Sequence, residues 1–211
     1  MRVVTGNKIE EINKQKFQEM TGGYSRVEID LGTGDGRFVY KNALLRKDTL
    51  FIGVDPAEKQ LEIYSKKAAK EKVQNLIYVV SSFEMLPSEL RETADKIYVS
   101  FPWGTLLENI VKPTKGGLDK LLELLKEKGE LEIILGYAQE LEPSETKRLN
   151  LPPIHLGLIN DIIVPAFEDR SFHAKEFYEM SKEQLGGVET TWAKKLRFGR
   201  DRKIYKLVFS K

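Results

Sequence analysis

Three glycines at alternate positions, Gly32, Gly34 and Gly36, lie in the stretch IDLGTGDGR, behind an apolar run and ahead of a helical pattern. Without a Cβ the chain turns tightly there and its backbone can approach a ligand, while a helix beginning near Gly36 offers free N–H groups. Three acids accompany the turn, each where an apolar run stops: Asp30 just before it, Asp55 ahead of Pro56, and Glu84 after Phe83. An acid ending a second strand can accept hydrogen bonds from both hydroxyls of a ribose. Asp30 would repel a pyrophosphate and attract an ammonium or sulfonium group. The spacing is G-x-G-x-G and not the G-x-G-x-x-G of dinucleotide turns, which argues against a nicotinamide dehydrogenase. The bland reading of Asp55, that Asp55-Pro56 caps the next helix, stands beside the binding one.

The second chemical signal is aromatic. The chain has two tryptophans, and SFPWGTLL (100–107) places Trp103 between Pro102 and Gly104 at the end of an apolar run. Proline cannot donate to a strand ladder, so Trp103 falls on a turn where a strand stops. Trp192 heads WAKKLRFGRDRK (192–203). Both have turn-forming or charged neighbours and no apolar stripe, which favours a stacking surface over a core plug. Basic residues gather in that second run (Lys195, Arg200, Arg202) and in YSKKAAKEK, 64–72 (Lys66, Lys67, Lys70). Such runs are commonly solvated helix faces; two of them near aromatics make candidate phosphate contacts.

The elements that must position these groups alternate. Strand runs fall at 26–32, 49–55, 75–82, 95–101 and 129–137, with helical spacing at 36–46 and 58–72. Leu118, Leu121, Leu122 and Leu125 predict a helix over 116–129, with Gly129 as its C-cap. The order predicts an α/β fold with a mostly parallel, doubly wound sheet, whose carboxyl edge gathers Asp30, Asp55 and Glu84. Residues 157–172 read as helical around Ile159, Ile163 and Phe167 despite Pro165, 173–180 fits helix or strand, and 202–210 reads as a final strand.

With 211 residues and 41% hydrophobic, the chain suits a single domain. Cysteine is absent, which excludes disulfides, zinc ribbons and thiol catalysis. His155 and His173, the only histidines, adjoin no motif and read as structural or surface groups, and no metal-ligand spacing occurs. A net charge of +2 does not by itself argue for nucleic acid. MRVVTGNKIEEINKQ lacks an apolar leader core and no run approaches a membrane span, so a soluble, cytoplasmic protein is expected.

DLGTGDG, GVDP and an acid after the third strand resemble the class I S-adenosylmethionine-dependent methyltransferases. That resemblance implies a Rossmann-like, seven-stranded sheet with helices on both faces and an antiparallel last strand, making 173–180 the sixth strand and 203–209 the seventh. IDLGTGDGR, FIGVDP, FPWGTLLE…VKP and WAKKLRFGR together resemble more closely the 16S ribosomal RNA (adenine 1408-N1)-methyltransferases of aminoglycoside resistance, over nearly the whole chain. This implies S-adenosyl-L-methionine as cofactor, with Asp30 and Gly32 at its methionine part, Asp55 at its ribose, Phe83 and Glu84 at its adenine, and Thr33, Gly34, Gly36 and Pro56 as further cofactor-binding positions. Ser100, Thr105 and Thr190 match further cofactor positions. Trp103 and Trp192 would stack on the flipped target adenine, with Phe101 and Pro102 shaping its pocket. Where family members carry an arginine in the WAK motif, this chain has Lys195, which keeps the charge without bidentate geometry.

The same resemblance implies a 30S subunit partner, no membrane, a monomer, and substrate-recognition insertions around 64–76, 138–160 and 181–202 of the single domain. It implies direct displacement by adenine N1, with no obligatory general base. The rival readings are a methyltransferase of another RNA, such as a tRNA guanine-N7 enzyme, and a non-catalytic ribosome-binding module on the same fold.

Overall fold

The apolar and amphipathic runs become, in chain order, β1 (Arg2–Thr5), β2 (Lys8–Glu11), α1 (Lys14–Thr21), β3 (Arg26–Leu31), α2 (Arg37–Leu45), β4 (Thr49–Asp55), α3 (Glu58–Lys70), β5 (Leu76–Val80), β6 (Ala94–Ser100), α4 (Gly104–Val111), α5 (Lys115–Leu124) and β7 (Leu125–Leu135). The chain continues with α6 (Pro143–Arg148), α7 (Leu156–Leu158), a π-helical turn Ile159–Ile163, α8 (Val164–Glu168), β8 (His173–Glu179), α9 (Thr191–Arg197) and β9 (Tyr205–Ser210). The computed structural model describes all of residues 1–211.

One sheet of nine strands runs β2-β1-β5-β4-β3-β6-β7-β9-β8. The five central strands, β5 to β7 in that order, are parallel, and β9 lies antiparallel to β7 and to β8. The expected seven strands are therefore all present, and the count is corrected by a hairpin, β1–β2, whose β1 pairs antiparallel with β5. The hairpin escapes sequence reading because every residue of β2 is exposed, so KIEE carries no apolar alternation.

Helices cover both faces. Val39, Tyr40 and Ala43 of α2 and Leu61 and Ala68 of α3 pack with Phe51 and Tyr78 on one side. On the other, residues of α1, α4, α5 and the 156–168 helix join Ile29, Ile52, Ile97 and Ile133 in the main core. The order in which strands join the sheet reverses at β3, with β4 and β5 to one side and β6 and β7 to the other. The crevice between β3 and β6 at the strands' carboxyl ends is where a ligand site belongs in this architecture.

Two expectations about elements change. The helix read over 116–129 stops at Leu124, because Leu125 joins the ladder opposite Ala94. Gly129 is thus no cap. It lies in the strand, where an added Cβ would sit 2.9 Å from the Lys126 carbonyl oxygen and 3.0 Å from that of Ala94. The helical reading of 157–172 holds through Glu168, and the π turn, which ends at Ile163 with Val164 between it and Pro165, accommodates a residue that has no N–H to donate.

Candidate active site

Gly32, Gly34 and Gly36 all take the left-handed conformation, with φ of 73°, 60° and 77°. The turn is held from below: the amides of Gly32 and Thr33 donate to the Val54 carbonyl at 2.8 and 3.1 Å, and the Gly34 amide donates to Asp55 Oδ2 at 2.9 Å. Gly36 starts α2, and its carbonyl accepts from the buried Tyr78 hydroxyl at 3.1 Å. A Cβ there would meet the Tyr78 ring at 2.2 Å. Gly36→Ala is expected to lose roughly 2–5 kcal/mol from the combined positive φ and overpacking, measured as a lower urea midpoint.

Above this turn lies a cleft of about 790 Å³. It gathers Asp30, Gly32, Thr33, Gly34, Asp55, Pro56, Phe83, Glu84, Ser100, Phe101, Trp103, Thr105, Thr190, Trp192 and Lys195. Pro102 lines a small void behind the tryptophans, and Gly36 lies beneath the turn, outside the cleft.

The acids differ in state and in partners. Asp30 is 2% exposed, and its carboxyl is pushed up to about 7. Burial is the main cause, the nearby Thr33 hydroxyl opposes it, and the carboxylates of Asp55 and Asp35 add to it. Asp55 accepts from the Gly34 amide and, through Oδ1, from the Ala57 amide at 2.8 Å, so it joins the glycine turn to the turn before α3; the N-cap of that helix is Ala57, with no side-chain cap, which corrects the capping reading of Asp55. Glu84, on a short 3₁₀ turn (Phe83–Met85), is held below the ordinary carboxylate range, chiefly by the Thr105 hydroxyl and next by that of Ser82. The Thr33 hydroxyl is buried and has no hydrogen-bond partner.

The tryptophans meet across the mouth of the cleft. Their ring centroids are 5.8 Å apart at 37°, and the two residues are 40% (Trp103) and 39% (Trp192) exposed. Trp103 is aimed by a kinked exit from β6. Phe101 has φ 53°, an uncommon value for an aromatic, and Gly104 has φ 60°. The Gly104 amide donates to Glu145 Oε1 at 3.0 Å, which ties the Trp103 turn to α6. Arg148, first among the causes, and that amide hold the Glu145 carboxyl below its usual range. Trp192 stands in the first turn of α9, whose N-cap is Thr190, its hydroxyl accepting from the Ala193 amide at 2.9 Å.

The basic candidates divide into two kinds. Lys66, Lys67, Lys70, Lys195 and Arg200 are exposed. Lys66 pairs with Glu62, Lys67 lies 5.0 Å over the Tyr40 ring, and Lys195 lies 5.4 Å over the Trp192 ring. Arg202 differs from these: it folds back beside the tryptophans, donating to the Gly136 carbonyl at 2.9 Å and to Glu142 Oε1 at 2.6 Å. His155 caps α7, its Nδ1 accepting from the Leu158 amide, and His173 is exposed at the start of β8.

Sequence reading missed Glu145, Asp35 and Arg37. Asp35 Oδ2 accepts from the Thr191 hydroxyl at 2.8 Å, and Arg37 donates to the Tyr64 hydroxyl at 2.7 Å and to Glu189 at 3.3 Å. Asp35 and Arg37 stood inside the glycine motif, which was the available signal. Their partners more than a hundred residues away carried none.

The arrangement offers a cleft at the sheet's switch point, a buried acid for a cation, a second acid for a diol, and two facing indoles at the opening. That combination suits a nucleoside-bearing donor beneath a planar acceptor. Comparison with known proteins agrees over the full chain. The NpmA family model, described as 16S rRNA (adenine(1408)-N(1))-methyltransferase, matches residues 2–210. A 16S rRNA (adenine(1408)-N(1))-methyltransferase of Escherichia coli is 34% identical over 212 residues, covering 98% of this chain and 97% of its own. Among solved structures, a 30S ribosomal methyltransferase from an uncultured bacterium shares 43% identity at a TM-score of 0.80, with 100% of both chains covered. A mutant 16S rRNA (adenine(1408)-N(1))-methyltransferase from Catenulisporales acidiphilia, solved with cosubstrate SAM, gives a TM-score of 0.87 at 25% identity, covering 100% of this chain and 96% of the other. With the glycine turn, its acids and the paired tryptophans in the positions described, the chain belongs to the 16S rRNA (adenine(1408)-N(1))-methyltransferase family.

Proposed function

We propose that this protein transfers the methyl group of S-adenosyl-L-methionine to N1 of the adenine at position 1408 of 16S rRNA in the 30S subunit, giving resistance to aminoglycosides. The observation that carries this reading is the pair of half-exposed indoles facing one another at the mouth of a cleft that ends on Asp30 and Asp55. The residues present fit the cofactor. The buried Asp30 carboxyl suits a cationic group, and Asp55 suits a ribose diol. Phe83 and Glu84 line the same cleft and would take the adenine, and Ser100, Thr105 and Thr190 line it too.

When bound, the cofactor supplies an electrophilic S-methyl group that adenine N1 takes with its lone pair as S-adenosyl-L-homocysteine leaves. The protein's part is positional. Trp103 and Trp192 hold the flipped base, offsetting an unstacking cost of a few kcal/mol. Phe101, fixed by its amide donating to the Ile134 carbonyl at 2.8 Å, presents backbone near the exocyclic amino group. Alignment of nucleophile and methyl group then carries most of the rate, and no side chain is required to remove a proton before attack. Lys66, Lys67, Lys70, Lys195 and Arg200 serve as phosphate contacts, whereas Arg202, expected among them, is paired inward with Glu142 and supports the wall beside the base site. Segments 64–76, 138–160 and 181–202 form the recognition surface. The protein acts as a monomer in the cytoplasm; no helix is long and apolar enough to cross a membrane.

Labelled methyl transfer to intact 30S subunits, naked 16S rRNA and bulk tRNA tests this reading. Label on the subunit alone is expected, with a reverse-transcription stop at the modified adenine because N1 lies on its pairing edge. Label on tRNA would overturn the substrate assignment. Failure to bind the cofactor in calorimetry would favour a non-catalytic ribosome-binding module instead.

A further inference from the structure

We propose that Asp35 and Arg37 are positioning residues that make the placement of Trp192 depend on the cofactor turn. The inference rests on the reading of Trp192 as one wall of the base site, but its structural half does not need that reading. Asp35 lies within the G-x-G-x-G turn. Its Oδ1 accepts from the Arg37 amide at 3.1 Å, which fixes the carboxylate, and its Oδ2 takes the hydroxyl of Thr191, the residue directly before Trp192. One residue beyond the last glycine, Arg37 holds Glu189 on the same incoming segment.

These two bonds are the hydrogen-bonded links between residues 188–192 and the parallel-sheet body. Around α9 itself the remaining attachment is apolar, through Leu185, Ala193, Leu196 and Ile204 packed with Phe101 and Ile134, and the polar bonds of Arg202 to Gly136 and Glu142 lie beyond the helix's C-terminal end. An apolar cluster fixes where a helix lies but leaves its rotation less defined than a directional bond does. A residue one position along from a bonded threonine shares that threonine's constraint. The far side of the same turn donates the Gly34 amide to Asp55. A ligand that engages Asp55 and the turn's backbone therefore acts on the strip of chain that anchors Trp192. Arg37 also donates to Tyr64 on α3, the helix carrying Lys66, Lys67 and Lys70, and so joins both basic segments to the turn.

The consequence is ordered assembly: a filled cofactor site sets the indole before the base arrives. Trp103 and Trp192 are the only tryptophans, so intrinsic fluorescence reads this pair without interference. Titration with S-adenosyl-L-homocysteine is expected to change the wild-type emission. Thr191→Val replaces the hydroxyl with a methyl group and is expected to abolish that change while leaving the calorimetric affinity within about twofold. Its turnover on 30S subunits should fall roughly 10- to 100-fold, as for a misplacement near 1 Å. Thr191→Ser restores the donor and is expected to recover both signals, which a general packing defect would not do.

A wild-type emission that ignores S-adenosyl-L-homocysteine would overturn the proposal. So would a valine variant that responds and turns over like wild type, or one whose losses the serine variant shares along with a lowered melting temperature. If the fluorescence coupling holds but no methyl group reaches the 30S subunit, the latch stands and the substrate reading fails.

Discussion

Trp103→Ala and Trp192→Ala are each expected to lower methyl transfer to 30S subunits by roughly 10- to 100-fold, with cofactor affinity little changed. A base stacked on an aromatic side chain gains about 1–3 kcal/mol per contact, and that gain exists only once the base has left its helix. The loss should therefore fall on turnover and leave docking on the ribosome near its original strength. The double variant should lose more than the product of the two single losses, since one remaining indole still offers a face and two missing ones offer none. Phenylalanine at either position should recover a large part of the rate. Quantifying transfer and subunit binding side by side checks this; variants that transfer normally would remove the indoles from the base site. Their half-exposed faces make a folding defect an inadequate explanation, which a thermal melt of each variant verifies.

Asp30→Asn is expected to weaken cofactor binding roughly 10- to 100-fold, the scale of a lost charge-assisted bond, and at the same time to stabilise the free protein. The sign follows from the carboxyl's displacement. Asp30 rises from an ordinary value of 3.8 to about 7 in the fold, so the folded chain keeps a proton that the unfolded chain loses across that window. Stability contributed by this group thus falls as pH rises through the window and stays lowest above it. The neutral amide removes that penalty, and at pH 8 the gain has a ceiling on the order of 4 kcal/mol. Cofactor affinity runs the other way. A cation requires ionised Asp30, so in the wild type the affinity should weaken toward tenfold per pH unit below about 7, and in the variant it should be flat. Calorimetric titrations at pH 6 and 8 with urea melts of both proteins decide it; a wild-type affinity independent of pH would show that Asp30 does not face the cation.

The parts of this site that were legible in the sequence share one property: they are local. A glycine turn between an apolar run and a helical run, an acid at each strand end, and a tryptophan trapped between proline and glycine all announce themselves within a few residues. What stayed hidden depends on distant pairs. Glu145 reaches the Gly104 amide across 41 positions, and Thr191 reaches Asp35 across 156. Arg202 looked like one more cation in a basic run, but the fold turns it inward to Glu142. The β1–β2 hairpin was invisible for another reason: it is stabilised by edge pairing to β5 and buries Val3 and Val4 alone, too short a pattern to register. The leucine run of α5 misled because Leu125 satisfies helical spacing and strand burial equally, and only its pairing with Ala94 breaks the tie.

The spacing of the two indoles carries a further consequence, for which adenine the site takes. Stacked bases lie about 3.4 Å apart, so a base held between two rings needs roughly 6.8 Å from ring to ring. The rings stand 5.8 Å apart and tilted, close enough to interact with each other. Entry of the adenine must therefore separate a pair already worth roughly 0.5–1.5 kcal/mol, and the net reward for capture is smaller by that amount. Stacking on both faces outweighs that cost, and the phosphate contacts proposed for the basic faces would add to the gain, so an adenine presented by a docked ribosome would be favoured over a stray exposed base.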